Sequence, residues 1–155
     1  MDFVVRGLDV KPYQYLFGKT KSELSEFGVY RYACDQEFAF PDRIEMRDAH
    51  IGETLLLVNH VSMDKPTPYR ATHAIFVLEG AEETYQGYNE IPDVMQRRKL
   101  SLRAFSETGF IIAADLVDGV NAREAIHRFL EDHNVQHIDA HYALRGCYAG
   151  RITRG

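Results

Sequence analysis

Apolar positions in the first third of the chain come in short groups separated by glycine or proline. Residues 3–5 read as a short strand ahead of Gly7, and Pro12 suits the first turn of a short helix carrying Tyr15, Leu16 and Phe17 and stopped by Gly18. Ser22 is the expected N-cap of a second short helix, with Leu24 and Phe27 on one side and Gly28 at its end. Residues 29–34 alternate as a half-buried strand does. The chain turns at Phe40 and Pro41, and residues 43–46 are expected to be extended. The run TLLLV at 54–58 is continuously apolar, which predicts a central strand covered on both faces.

The second half is more regular. Residues 61–68, with Pro66 and Pro68, read as a loop, and residues 69–79 as a long strand ended by Gly80. Residues 81–90 are acidic and without period, so they read as an exposed connection. Residues 92–99 suit a short helix, with Asp93 near its start and Arg97, Arg98 and Lys99 at its end as the helix dipole favours. Residues 100–105 and 110–116 flank Ser106, Glu107, Thr108 and Gly109, the pattern of a hairpin. Asn121 and Glu124 match an N-x-x-E variant of the capping box, opening a helix with Ala125, Ile126, Phe129 and Leu130 on one side and ending near His133 and Asn134. With no repeat or linker, the expectation is a single α+β domain over residues 1–155. It has a mostly antiparallel sheet, a few short helices and one longer helix near residues 121–133.

Composition narrows the function more by exclusion than by assignment. A chain of 155 residues is long enough for one sizeable core, burying about 68–70% of its unfolded surface. Cys34 and Cys147 are too few for a disulfide framework and lack C-x-x-C spacing, which suits a reducing cytoplasm. The N-terminus lacks the pattern of a signal peptide, and no apolar run approaches the roughly 18 residues of a membrane span. A soluble cytoplasmic protein is expected. The net charge of −5, with its basic residues scattered, leaves no footprint for a nucleic-acid backbone. G-x-G-x-x-G, a P-loop, H-E-x-x-H and G-x-S-x-G are all missing, so no motif indicates a cofactor.

Candidate chemistry gathers late in the chain, at 135–154. Read as a strand, residues 135–142 put His137, Asp139 and His141 on one face and Ile138, Ala140 and Tyr142 on the other. Two imidazoles and a carboxylate are compatible with a divalent metal. Same-face neighbours lie about 6.7 Å apart along a strand, so all three cannot converge on one ion, whose donors sit near 3 Å apart. Asp139 with His141 could do so with help from another strand. Were the segment helical, His137 and His141 would form an i, i+4 pair. The alternative to a metal is a solvated polar face or a hydrogen-bonded histidine.

Cys147 follows a glycine near His141, where an imidazolium would favour a nucleophilic thiolate; ordinary packing is the competing role. Earlier in the chain, Tyr69, Ala71 and His73 share a strand face, with Arg70 on the other. Arg70 and Arg103, each at the start of an apolar strand, suit bidentate recognition of a carboxylate or phosphate, unless the chain's own acids engage them.

Taken together, PYRATHAIFV, LSLRAF, ADLVDG and HYALRGCYA resemble a bacterial family of similarly sized proteins, domain of unknown function 1203, from about Arg6 to Arg154. The resemblance implies a single-domain bacterial protein whose recurring polar positions fall on Arg43, Arg47, Asp48, Arg70, His73, Arg103, Asp115, His141 and Cys147. It also implies relatives with cysteine where this chain has Asp42. His137 and Asp139 are not among the recurring positions. The family implies neither substrate nor reaction.

Two functions from different classes follow. The first is a small-molecule site, enzymatic or not, in which Arg70, Arg103 and Tyr69 hold an anionic ligand, His73 or His141 handles a proton and Cys147 lines the pocket or attacks. The second is a non-catalytic interaction or homo-oligomerisation module. It is motivated by nine tyrosines and nine phenylalanines in a chain without tryptophan, with Tyr85 and Tyr88 in a surface segment.

Overall fold

Strand β1 (Phe3–Arg6) opens the chain and is followed by helix α1 (Lys11–Gln14), with Pro12 in its first turn. Helix α2 (Lys21–Glu26) has a complete capping box. Thr20 Oγ1 accepts from the Glu23 amide and Glu23 accepts from the Thr20 amide, so Thr20 and not Ser22 is the N-cap. Strand β2 (Tyr30–Ala33) follows. Residues 43–46 form no strand, because the Asp42 carboxylate accepts the amides of Ile44 and Glu45 and folds the chain into a turn.

Strand β3 (Thr54–Met63) runs five residues past the TLLLV segment, so the loop before β4 (Ala71–Leu78) shifts to residues 64–70, with 61–63 in β3 and Tyr69 and Arg70 outside β4. The acidic connection contains a short strand, β5 (Gln86–Tyr88), where backbone pairing overrides a sequence with no apolar period. Helix α3 (Asp93–Gln96) precedes the hairpin of β6 (Lys99–Ser106) and β7 (Ile111–Asp118), whose turn closes with Gly109 at φ 87°.

The expected longer helix is present but shorter. A 3-10 turn, Gly119–Asn121, precedes helix α4 (Ala122–Leu130), and Asn121 makes no side-chain cap. Helix α4 therefore ends at Leu130 with nine residues, and strands β8 (Val135–Tyr142) and β9 (Tyr148–Arg154) complete the chain. The fold is a sheet-rich α+β arrangement with short helices.

This computed structural model describes all residues, 1–155, in two compact units. The first unit comprises Met1–Arg6, Val61–His73 and Gln86–Gly155. Its six-stranded sheet runs β5-β1-β9-β8-β6-β7, antiparallel at every pairing. Helix α4 covers one face with Ala125, Ile126, Phe129 and Leu130. His127 meets the Phe3 ring edge-on at 5.7 Å, and Arg128 pairs with Asp115 on the same face. Gly119 is required there, since a Cβ would overlap the Met95 carbonyl oxygen.

The second unit, Gly7–His60 and Ala74–Tyr85, contains β2 and most of β3 and β4, which belong to a three-stranded sheet of order β2-β3-β4. TLLLV is central, as its continuous apolar run predicts, with Leu55 and Leu56 fully buried. Glu79 is a polar hub in this unit, accepting two hydrogen bonds from Arg31, one from Thr54 Oγ1 and one from the Gly18 amide. Together these donors hold its carboxyl at about 2.

Candidate functional site

The sheet face of the first unit opposite α4 carries the polar residues. Register puts Ser101, His141 and Tyr148 in one cross-strand row, Arg103, Asp139 and Arg151 in the next, and Phe105 with His137 in a third. The period-two reading of β8 is met from His137 to Tyr142, with Ile138, Ala140 and Tyr142 in the core, but not at its start, where a register shift against β6 leaves Val135 buried and Gln136 exposed.

Asp139 is the centre of the face and is only 1% exposed. Arg151 donates to both of its oxygens, Nε to Oδ1 at 2.8 Å and Nη2 to Oδ2 at 3.1 Å. His137 Nε2 stands 3.7 Å from Oδ2, an ionic rather than hydrogen-bonding distance, with its ring stacked on Phe105. Burial acts to raise the Asp139 pKa, but these cationic and donor groups outweigh it and hold the carboxyl below its ordinary value. Arg151 also donates to the Ser62 carbonyl at 3.2 Å, tying the sheet to the segment Val61–His73.

His141 lies one row away and is 2% exposed. Its Nδ1 lies 3.0 Å from the Gly146 carbonyl oxygen, which only accepts, so Nδ1 carries the proton and Nε2 is left with its lone pair. Burial, then the positive charge of Arg103, pushes the imidazole down to about 4, so it is neutral at pH 7. His73 packs against it edge to face at 4.9 Å and Tyr148 at 5.9 Å.

Arg103 is half-buried. Its Nε donates to Ser101 Oγ at 3.2 Å, and no carboxylate lies within ion-pair distance of its guanidinium. Burial lowers its pKa, with the Asp139 charge opposing. The side chain stays cationic, since guanidinium is not deprotonated in proteins.

His73, Arg103, Asp139 and His141 are thus brought together. Arg70 is not part of this group: it is exposed and ion-paired with Asp64 at 2.6 Å. Tyr69 packs edge-on against Phe110 at 5.7 Å, at the hairpin end of the same face. Cys147 is half-buried in the β8–β9 connection, with its carbonyl accepting from the Tyr142 amide, and both cysteines are free thiols.

No group of three or more His, Cys, Asp or Glu side chains is placed to hold a metal ion. Of the pair Asp139 and His141, the carboxylate already has both oxygens bonded to Arg151. An open depression of about 560 Å³ lies elsewhere, on the outer side of α4, bordered by Arg123, Glu124, His127 and Glu131 among others. Its charges are of both signs and largely exposed, so it offers no convergent polar set.

A family model described as protein of unknown function (DUF1203) matches residues 39–154. The chain belongs to that family. The match takes in β6, β7, β8 and β9, which carry the polar rows, but not β1, and begins well after Arg6, where the motif resemblance starts. No curated protein and no solved structure matches the chain.

Of the family-like polar positions, Arg43 is fully buried, with Nη1 donating to the Pro41 carbonyl. Arg47 is bonded to Glu45 and Glu53, and Asp115 pairs with Arg128. Their bonds are internal to the fold. Arg151 is the residue that sequence reasoning passed over. Its signal was available, because Arg151 and Thr153 alternate with buried Ile152 just as the polar residues of β8 alternate with their core neighbours. No helix is long and apolar enough to cross a membrane.

Proposed function

We propose that the protein binds a small organic anion on the polar sheet face of its first unit, with Arg103 as the anchor. The observation that carries this reading is the state of Arg103, a half-buried guanidinium whose one side-chain hydrogen bond goes to a neutral serine. A cation removed from water without a carboxylate in reach is costly, and a ligand carboxylate or phosphate would offset that cost. Ser101 and His73 border it, through the hydrogen bond to Arg103 and the contact with His141 respectively.

The same geometry favours binding over acid–base catalysis. A histidine with a pKa of about 4 stays neutral at pH 7 but is a weak base, so His141 serves as a hydrogen-bonding wall. The test is a titration of the full chain with acetate, sulfate and phosphate, followed by amide chemical shifts of β6 and β8. Saturable shifts that Arg103→Gln weakens by about tenfold or more are expected, because a charge-assisted hydrogen bond contributes about 1.5–3 kcal/mol. Equal binding by the variant would refute the reading.

A second reading rests on the second unit. Tyr15, Phe27, Tyr30, Tyr32 and Phe38 are each 42–58% exposed, which suits an interface with another protein or another copy of the chain. Native mass spectrometry at micromolar concentration tests it, and a strictly monomeric spectrum counts against self-association.

A further inference from the structure

The anion site, taken as read above, has neighbours that narrow its ligand. Register places Leu116 directly across from Ser101 and Ala114 across from Arg103, on the same face. Leu116 is 60% exposed, and Ile112, unpaired at the register shift between β6 and β7, is 43% exposed. Strand β7 is the last of the sheet, so this row is not covered by a further strand.

The segment after the β3–β4 loop crosses over these rows. Tyr69 meets Phe110 at the hairpin end and His73 meets His141 at the Ser101 row, so residues 69–73 pass above the Arg103 row. The Arg103 row is thus flanked by residues 69–73 and by the exposed apolar side chains of β7.

Charge selects within the class of anions. The buried and half-buried permanent charges of the face are Arg103 and Arg151, both positive, and Asp139, negative, and His141 is neutral at pH 7. Asp139 is paired with Arg151, which leaves the charge of Arg103 without a carboxylate of its own. A monoanion matches it, whereas a phosphate dianion would bring an uncompensated charge beside the Asp139 carboxylate.

We infer that the ligand is an amphipathic monocarboxylate, its carboxylate on Arg103 and Ser101 and its apolar tail along Leu116 and Ile112. A free fatty acid of medium length and an aryl-alkanoate share this chemistry. Leu116 and Ile112 are themselves exposed, so only part of each methylene leaves water.

The test is calorimetric titration of the full-length protein with acetate, butanoate, hexanoate and octanoate, with octanol and inorganic phosphate alongside. Affinity is expected to rise about two- to fourfold per methylene, the upper value being that of a fully buried one. Leu116→Ser should flatten this gradient. Arg103→Gln should weaken octanoate at least about tenfold, and Arg103→Lys, which keeps the charge but loses the planar fork, should fall between. Circular dichroism of each variant confirms that it is folded.

Binding of acetate and phosphate through Arg103 with no chain-length gradient overturns the amphipathic ligand and leaves the anion site standing. Octanol binding as tightly as octanoate, unaffected by Arg103→Gln, overturns the anion site itself. No binding of any of these probes at millimolar concentration overturns both.

Discussion

Replacing Asp139 by asparagine removes the negative charge at the centre of the polar face while keeping the side chain's size. Asp139 is 1% exposed and accepts two hydrogen bonds from Arg151, at 2.8 and 3.1 Å. Removing one partner of a buried ion pair typically costs about 3–5 kcal/mol, because the other charge is left uncompensated. Two features reduce that figure here. The Arg151 side chain is 38% exposed, so water screens it, and it keeps a hydrogen bond to the Ser62 carbonyl. Arg103 works the other way, since it loses the favourable field of Asp139. The expected loss is about 2–3 kcal/mol, read as a fall of about 1 M or more in the urea midpoint at pH 7. Circular dichroism follows the transition, and amide exchange of β8 assigns it to the first unit. The double variant Asp139→Leu, Arg151→Met removes both charges and should recover most of the loss. A loss below about 0.5 kcal/mol for Asp139→Asn, or a double variant as unstable as the two single ones added, would refute the coupling.

Three further outcomes follow. His141 has a folded pKa of about 4 against an ordinary 6.5, so between those values the unfolded chain binds the extra proton and stability falls as the pH drops. The full effect is about 3 kcal/mol, and His141→Gln should flatten urea-midpoint profiles between pH 4 and 7. Glu79 has the depressed carboxylate value, about 2, so its contribution is present above pH 4.5 and is lost as pH falls toward 2. After discounting for screening, Glu79→Gln should cost about 1–2 kcal/mol at pH 7 and almost nothing at pH 2, checked by the same melts. Gly119→Ala drives a methyl into the Met95 carbonyl and should cost at least about 2 kcal/mol, seen as a lowered thermal midpoint, whereas an unchanged midpoint would contradict the packing.

Several strands were legible because a core face imposes its period on the sequence. Strand β8 and the β6–β7 hairpin show this directly: Ile138 and Ala140 alternate with Asp139 and His141, and Leu100, Leu102 and Ala104 with Ser101 and Arg103. Strand β5 was illegible for the converse reason. It is an edge strand of three residues with only Gly87 buried, held by backbone pairing to β1, and side-chain patterning carries no trace of that. The two cap expectations met different outcomes: Ser22 lies inside α2, whereas Asn121 stands at the N-cap position of α4 but makes no side-chain bond there. Ser22 and Asn121 are chemically good N-caps, but cap geometry depends on the backbone at that residue. Asn121 sits at φ −107° and ψ 7°, still inside a 3-10 turn, where its side chain does not reach the first amides of α4.

The site was half legible, and the division follows strand register. Which residues of one strand share a face can be read from parity alone, so His137, Asp139 and His141 were correctly grouped on β8. Which residues of other strands stand opposite them depends on pairing and on bulges, and one such irregularity falls between Ala140 and His141 against β9. It brings Tyr148 across from His141 and keeps Arg151 across from Asp139. Without it the metal question could not be weighed from sequence, since Arg151 is what occupies both Asp139 oxygens. Arg70 and Arg103 looked equivalent as sequence positions and differ through where β4 begins and through strand register. Arg70 lies in an exposed loop beside Asp64 and is satisfied there, while Arg103 faces inward beside an aspartate already bonded to another arginine. The inequality between two similar arginines, one neutralised locally and one not, is what turns a polar sheet face into a candidate anion site.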